Sequence, residues 1–142
     1  MSGTQLFTIE RANKMLPLLR NIVNDIVITW EQIVQLRTET EPTLNFKKVE
    51  TSPSSKEELN HFVDKINAYI KEVEDLGCLV EEFRGIINIP SLFHGRKVFL
   101  CWTLKEERVS YWHEIDETFD SRVDITNDIY SDKVGYKLDL RA

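Results

Sequence analysis

Cysteine is scarce. Cys78 and Cys101 are the only two, and no CxxC spacing joins them to each other or to a neighbour. That excludes a paired-cysteine redox or metal motif. It leaves two buried, reduced thiols, because a free cysteine packs as a small hydrophobe. Histidine stops at His61, His94 and His113, and HExxH is absent. There is no glycine-rich phosphate loop and no nucleophile elbow, and no serine, threonine or cysteine has a paired base for covalent catalysis. No apolar run approaches the ~20 residues that span a bilayer. The opening MSGTQLFTIERANKMLP lacks the unbroken apolar stretch of a secretory signal. Lys and Arg, 18 against 24 acids, never cluster; with a net charge of −6 the chain has no basic face for nucleic acid. The expectation is a protein of the reducing cytoplasm, engaging neither membrane nor nucleic acid.

What is present is enough for one domain of 142 residues, large enough to bury a core without disulfide or metal. Thr8 stands where an N-cap belongs, with Arg11 in the place where a capping box wants Glu or Gln. Pro17 predicts a short first helix, then a kink or restart. From Leu16 the apolar residues Leu19, Val23, Ile26, Trp30 and Ile33 step by threes and fours. A second row, Leu18, Ile22, Val27 and Val34, makes this face wider than a two-helix seam needs, and Ile28 lies outside both. Glu41 to Pro53 reads as a long loop. Ser54 and Ser55 ahead of Glu57 and Glu58 announce a second helix over 56–76, with apolar steps at Leu59, Phe62, Ile66, Tyr69, Val73 and Leu76 and a C-cap glycine at Gly77. Two helices of similar length predict an antiparallel hairpin.

After Gly77 the period changes. Ile86 to Ile89, bounded by Gly85 and Pro90, is a short strand candidate. Lys97 to Thr103 is apolar on both faces and therefore central. A loose turn at Leu104–Glu107 leads into a return strand, Arg108 to His113. Val134, Tyr136, Leu138 and Leu140 alternate with Gly135, Lys137, Asp139 and Arg141, which predicts a strand that adds to the local sheet or to a partner's edge. The fold class is α+β: a long antiparallel helical hairpin with a short N-terminal helix, plus an antiparallel sheet of three or four strands.

Phe7, Thr8, Ala12, Asn13, Leu16 and Pro17 at the front form one half of a recognisable pattern. At the back stand Gly85, Pro90, Gly95, Arg96, Leu100, Cys101, Trp102, Trp112, His113, Glu114, Asp116, Phe119 and Arg122. Together they resemble a bacterial family known as domain of unknown function 2203, over about residues 6–123, with 124–142 as an extension. The resemblance implies an acidic residue just after the second helix, here Glu81 or Glu82. It also implies an Asp in the first short strand, where this chain has Asn88, and glycines where it has Thr118 and Ser121. It implies no activity.

The run His113-Glu114-Ile115-Asp116 carries the chemistry. Imidazole and carboxylates can bind a divalent transition metal or move a proton. His113 and Glu114 would face opposite ways on a strand, so a bend after His113 is needed to gather His113, Glu114, Asp116 and Arg122 at one end of the sheet. Three readings stand side by side: an Arg122–carboxylate clamp beside a hydrogen-bonded His, a small-molecule site, and a metal site using His113, Glu114 and Asp116. Arg96 is expected to pair with an acid of the meander, His94 to sit in an exposed turn and His61 on the helix surface. Trp102, Trp112 and Tyr111 are core or a stacking surface. No cofactor is evident. The functional expectation is a module that self-associates, as a two-fold dimer, through its helices. The alternative is a small enzyme or a ligand- or metal-binding protein built on the His/Glu/Asp/Arg cluster.

Overall fold

A computed structural model describes residues 5–40 and 53–125. The expected loop after Glu41 and the expected strand at Val134–Leu140 lie outside these residues. The architecture is α+β: α1 (Ile9–Thr40) and α2 (Pro53–Asp75) precede five strands. These are β1 (Leu79–Glu82), β2 (Ile86–Phe93), β3 (Arg96–Thr103), β4 (Tyr111–Glu114) and β5 (Val123–Asp124), with a 3-10 turn at Phe119–Ser121 before the last. The sheet is an antiparallel meander in sequence order, β1-β2-β3-β4-β5, with β3 at its centre as expected. Among the described residues no helix is long and apolar enough to cross a membrane.

Thr8 caps α1: its Oγ1 accepts the Arg11 N–H at 3.0 Å. The short first helix is not there. Pro17 lies inside one continuous helix of 32 residues, so the helices also differ in length, α2 having 23. Packing overrides the lost backbone bond. Leu16, Leu19 and Val23 are buried around the proline, and Asn13, four residues before it, is tied at both ends of its amide. Its Nδ2 donates to the Ile9 carbonyl at 3.1 Å, and its Oδ1 accepts the Val109 N–H at 2.8 Å. Pro17→Ala should therefore stabilise the protein by about 2–2.6 kcal/mol, the helix-interior penalty of proline less the entropy it removes from the unfolded chain. A urea midpoint that falls instead would mean that the fold uses the bend Pro17 imposes.

α2 starts at Pro53, which suits a first helical position, so Ser54 and Ser55 lie within its first turn rather than ahead of it. It ends as its glycine predicts. Gly77, at φ +99°, donates to the Glu74 carbonyl at 2.9 Å, and Cys78 N–H reaches back to Val73 at 3.1 Å, the paired bonds of a Schellman cap. A Cβ on Gly77 would meet the Phe7 ring at 3.1 Å.

The sheet has five strands, not three or four. β1 (Leu-Val-Glu-Glu) has no period to betray it, and β5 is two residues long. β2 does not stop at Pro90. The residue's carbonyl accepts the Phe7 N–H at 2.7 Å, beyond the end of β1. N–H and C=O of one strand residue point to the same side, so the bond that proline cannot make is missing there and not in the ladder to β3. β2 and β3 turn on His94 and Gly95, both at positive φ (55° and 79°), a two-residue hairpin. β4 begins at Tyr111, three residues after Arg108; Val109 leaves the ladder to enter the core.

Register sorts the side chains. Ile87, Ile89 and Phe93 of β2 and Val98, Leu100 and Trp102 of β3 join Leu16, Leu19, Val23, Ile26 and Ile33 of α1 and Ile66 and Val73 of α2 in one core. The second row of α1 splits: Ile22 is buried and Val27 half-buried, whereas Leu18 and Val34 are 53% and 43% exposed; Ile28, outside both rows, is 46% exposed. The opposite face of the sheet carries Asn88, Cys101, Tyr111 and His113, since Asn88 pairs Cys101, Cys101 pairs Tyr111 and Phe99 pairs His113.

Candidate metal centre

That opposite face builds a buried polar cluster. β4 runs straight through Glu114, so His113 and Glu114 point to opposite faces and the expected bend does not occur. His113 is 1% exposed. Its Nδ1 lies 2.8 Å from the Glu114 carbonyl oxygen, which can only accept, so Nδ1 carries the proton. Nε2 then faces Asn88 Oδ1 at 3.0 Å and Glu81 Oε1 at 3.6 Å.

Glu81 reaches this place through a bulge. The ladder pairs Val80 with Ile87 and Glu82 with Ile86, so Glu81 is the extra residue of β1. Bulges re-aim side chains in this way. Its Oε1 accepts Asn88 Nδ2 at 3.0 Å, and its Oε2 accepts the Phe119 N–H at 2.9 Å. Glu82 stays exposed, 3.6 Å from Arg84. The acid after the second helix that enters the cluster is therefore Glu81.

Cys101 completes the group. One ligand atom each from Glu81, Cys101 and His113 lie within 4.8 Å of one another. Burial pushes the Cys101 thiol up to about 12, against the pull of the nearby Arg122. Cys78, on the helix side, is pushed up to about 12 by burial alone. Neither is an activated nucleophile.

The other residues named from the sequence fall into separate places. Arg122 grips neither Glu114 nor Asp116. Its partner is Glu106, with NH1 to Oε1 at 3.1 Å and NH2 to Oε2 at 2.5 Å, and its guanidinium lies over Tyr111 and Phe119 at 3.8 and 4.1 Å. A clamp exists, as one of the three readings held, but the loop after β3 supplies its carboxylate. Glu106 is rigid enough for this because its Oε1 also accepts the Thr103 N–H at 3.1 Å and its carbonyl accepts Trp102 Nε1 at 2.9 Å. Glu114 instead takes both arms of Arg96, Nε to Oε1 at 3.0 Å and NH2 to Oε2. The Arg96 hydrogen bond holds the Glu114 carboxyl below the usual carboxylate range. Asp116 is exposed and outside the cluster. Trp102 is wholly buried on the helix side, and Trp112 packs beside Phe93 on that side, so neither offers a stacking face to the cluster. His94 is the exposed turn residue expected, and His61 is exposed on α2.

Sequence reasoning named His113, Glu81 and Arg122 but assigned Cys101 to the core and Asn88 to a mere departure. The signal was there. Asn88 is the one polar residue among Ile86, Ile87 and Ile89, and a hairpin closed on His94-Gly95 sets it opposite Cys101.

Compared with known proteins, no curated protein and no solved structure matches. A family model described as "Uncharacterized conserved protein (DUF2203)" matches residues 5–125, which include every residue of the cluster and both ends of the Arg122–Glu106 clamp. The chain belongs to the DUF2203 family.

Proposed function

We propose that this protein binds a divalent transition metal of the zinc type through Glu81 carboxylate, Cys101 thiolate and His113 Nε2. The observation that carries the reading is the convergence of three chemically suitable donors within 4.8 Å, with the imidazole already oriented by its Nδ1–H on the Glu114 carbonyl. In a tetrahedral site with bond lengths of ~2.0–2.3 Å the donors lie ~3.3–3.6 Å apart, so the group closes by up to about 1 Å when it takes the ion. Charge also favours it. Metal binding removes the Cys101 proton. A dication then balances Glu81, the thiolate and Glu106 together with Arg122. Three protein donors leave a coordination position for water or a substrate, the pattern of catalytic rather than structural zinc. Asn88 holds Glu81 in place through its Nδ2, and its Oδ1, an acceptor 3.0 Å from Nε2, turns aside when that nitrogen takes the ion. A reducing compartment, as in cytoplasm, keeps the thiol available.

The test is cobalt titration of the chelator-treated full chain. One equivalent should give a thiolate-to-cobalt absorption band, and saturation at 100 times the dissociation constant should add about 2.7 kcal/mol of stability. Cys101→Ala should abolish the band, Asn88→Ala weaken binding by about 10–100-fold, and Cys78→Ala change neither. A parent protein without the band would leave the cluster a purely structural hydrogen-bond network.

A second reading is self-association, with α1 and α2 as an antiparallel pair. It is favoured by Leu18, Ile28 and Val34, apolar side chains of α1 that the described core leaves 43–53% exposed.

A further inference from the structure

Residues 115–122 leave β4 after Glu114 and return to the sheet as β5 at Val123. The two ends are close, since Val123 pairs Trp112 of β4. Such a short loop with neighbouring ends is an Ω-loop, a kind of segment that often carries function. This one meets the far edge of the sheet. Phe119 N–H donates to Glu81 Oε2 at 2.9 Å, and Glu81 belongs to β1, with β2 and β3 between it and β4. At the end of the loop Arg122 lies against the Cys101 thiol, its guanidinium 4.1 Å from the centre of the Phe119 ring. Two of the three donors are thus touched from this loop, and the third, His113, stands two residues before it. The helices pack on the other face of the sheet. The loop keeps its shape through local bonds: Glu117 N–H to the Glu114 carbonyl, Ser121 N–H to that of Thr118 and Arg122 N–H to that of Phe119, at 2.9–3.1 Å. Yet it buries little. Residues 115–118, 120 and 121 are exposed, and the 3-10 turn has no buried residue, while Cys101 and His113 are 0% and 1% exposed. Segments with so few buried contacts open at less cost than the core around them.

We infer that residues 115–122 form a lid over the donor cluster, latched by the Phe119 N–H on Glu81, and that lifting it admits the ion. The ion rests on the metal reading above; the lid itself does not. Glu81 divides its two oxygens between the tasks. Oε1 faces Asn88 and His113, and Oε2 holds the latch. Coordination through Oε1 alone leaves the latch closed over a bound ion, and the bond from Phe119 orients the ligating carboxylate.

Two substitutions isolate the latch. Phe119 opens the 3-10 turn, and Thr118 before it is extended (φ −128°, ψ −176°), a backbone that accepts proline at 119. Phe119→Pro and Phe119→Ala both lose the ring, but only proline loses the N–H. In the metal-free full chain, labelling of Cys101 by an aromatic disulfide, located by mass spectrometry, reads opening of the lid. Cys78, in the helix-side core, reads unfolding of the whole domain. Cys101 should label about tenfold or more faster in Phe119→Pro than in Phe119→Ala, the effect of losing a hydrogen bond to a carboxylate, with Cys78 equally slow in both. Equal Cys101 rates in the two variants would overturn the latch. Amide exchange in the wild type decides the matter if the proline variant does not fold. The Phe119 amide should exchange far faster than the amides of β3, and equal protection would overturn the lid, because the loop would then open only with the whole domain. Cobalt separates the two readings. Release to excess chelator should be about tenfold faster from Phe119→Pro than from Phe119→Ala. A chain that labels as expected and binds no cobalt would keep the lid and overturn the ion as what it admits. One that releases cobalt equally from both variants would overturn the lid and keep the metal site.

Discussion

Trp102→Ala is expected to be the most damaging single substitution in this chain, costing about 3–5 kcal/mol, close to the whole stability of many domains. Trp102 is the largest fully buried side chain. It sits on β3 at the centre of the sheet, opposite Ile87, and faces the helices. Two further attachments go with the ring. Its Nε1 donates to the Glu106 carbonyl at 2.9 Å, and the Arg20 guanidinium lies over it at 5.2 Å. Arg20 itself donates to the carbonyls of Leu104, Glu106 and Glu107 at 3.2–3.3 Å, so the indole is the floor beneath the helix-to-loop connection. Alanine would leave a cavity and detach that loop. Thermal unfolding monitored by far-UV circular dichroism should show a melting temperature lower by more than about 10 °C, or no cooperative transition. Trp102→Phe, which keeps most of the volume and loses the N–H, should retain a cooperative transition. Equal losses for Phe and Ala would shift the weight from packing to the hydrogen bond.

Arg122→Met should cost about 2–4 kcal/mol, and the double variant Arg122→Met/Glu106→Leu clearly less. Arg122 and Glu106 are 15% and 21% exposed, so removing one charge strands the other in a poorly solvated place, while removing both leaves an apolar patch against Tyr111 and Phe119. The magnitude is set below that of a fully buried pair because water still reaches both groups. Urea denaturation of the four proteins of this cycle measures the coupling. Additive losses would mean that the guanidinium matters through its stacking on the rings and not through the carboxylate. Arg122 also lies against the Cys101 thiol, so Arg122→Met reaches the cluster, whereas Glu81 and His113 keep their own hydrogen bonds.

How much of this was legible in sequence depended on how many residues reported each feature. The α1 seam repeats over Leu16, Leu19, Val23, Ile26, Trp30 and Ile33, and every one but Trp30 is fully buried. β3 showed itself by being apolar on both faces. A single proline weighs little against such runs, and both Pro17 and Pro90 were read as ends where the chain continues. Short elements carry no period, which hid Leu79–Glu82 and Val123–Asp124. For the site, the residue types were visible and the partnerships were not. Arg122 has carboxylates two, five, six and eight residues before it at Asp120, Glu117, Asp116 and Glu114, yet takes Glu106, sixteen residues back. The bulge at Glu81 exists only in the pairing of β1 with β2, so no reading of one strand alone aims that side chain.

The bond between Phe7 and Pro90 has a consequence on the ribosome. Phe7 N–H and the Pro90 carbonyl, together with Ser91 Oγ on the Phe7 carbonyl at 2.7 Å, join residues more than eighty positions apart. Nascent chains grow at ~5–20 residues per second, so the segment that leads into α1 waits on the order of 4–17 seconds for the strand that anchors it. Throughout that interval the apolar seam of the helix has α2 alone to cover it. The step that covers the helix is the arrival of the β2–β3 hairpin, and a nascent chain halted before Pro90 holds its longest helix without the surface that buries it.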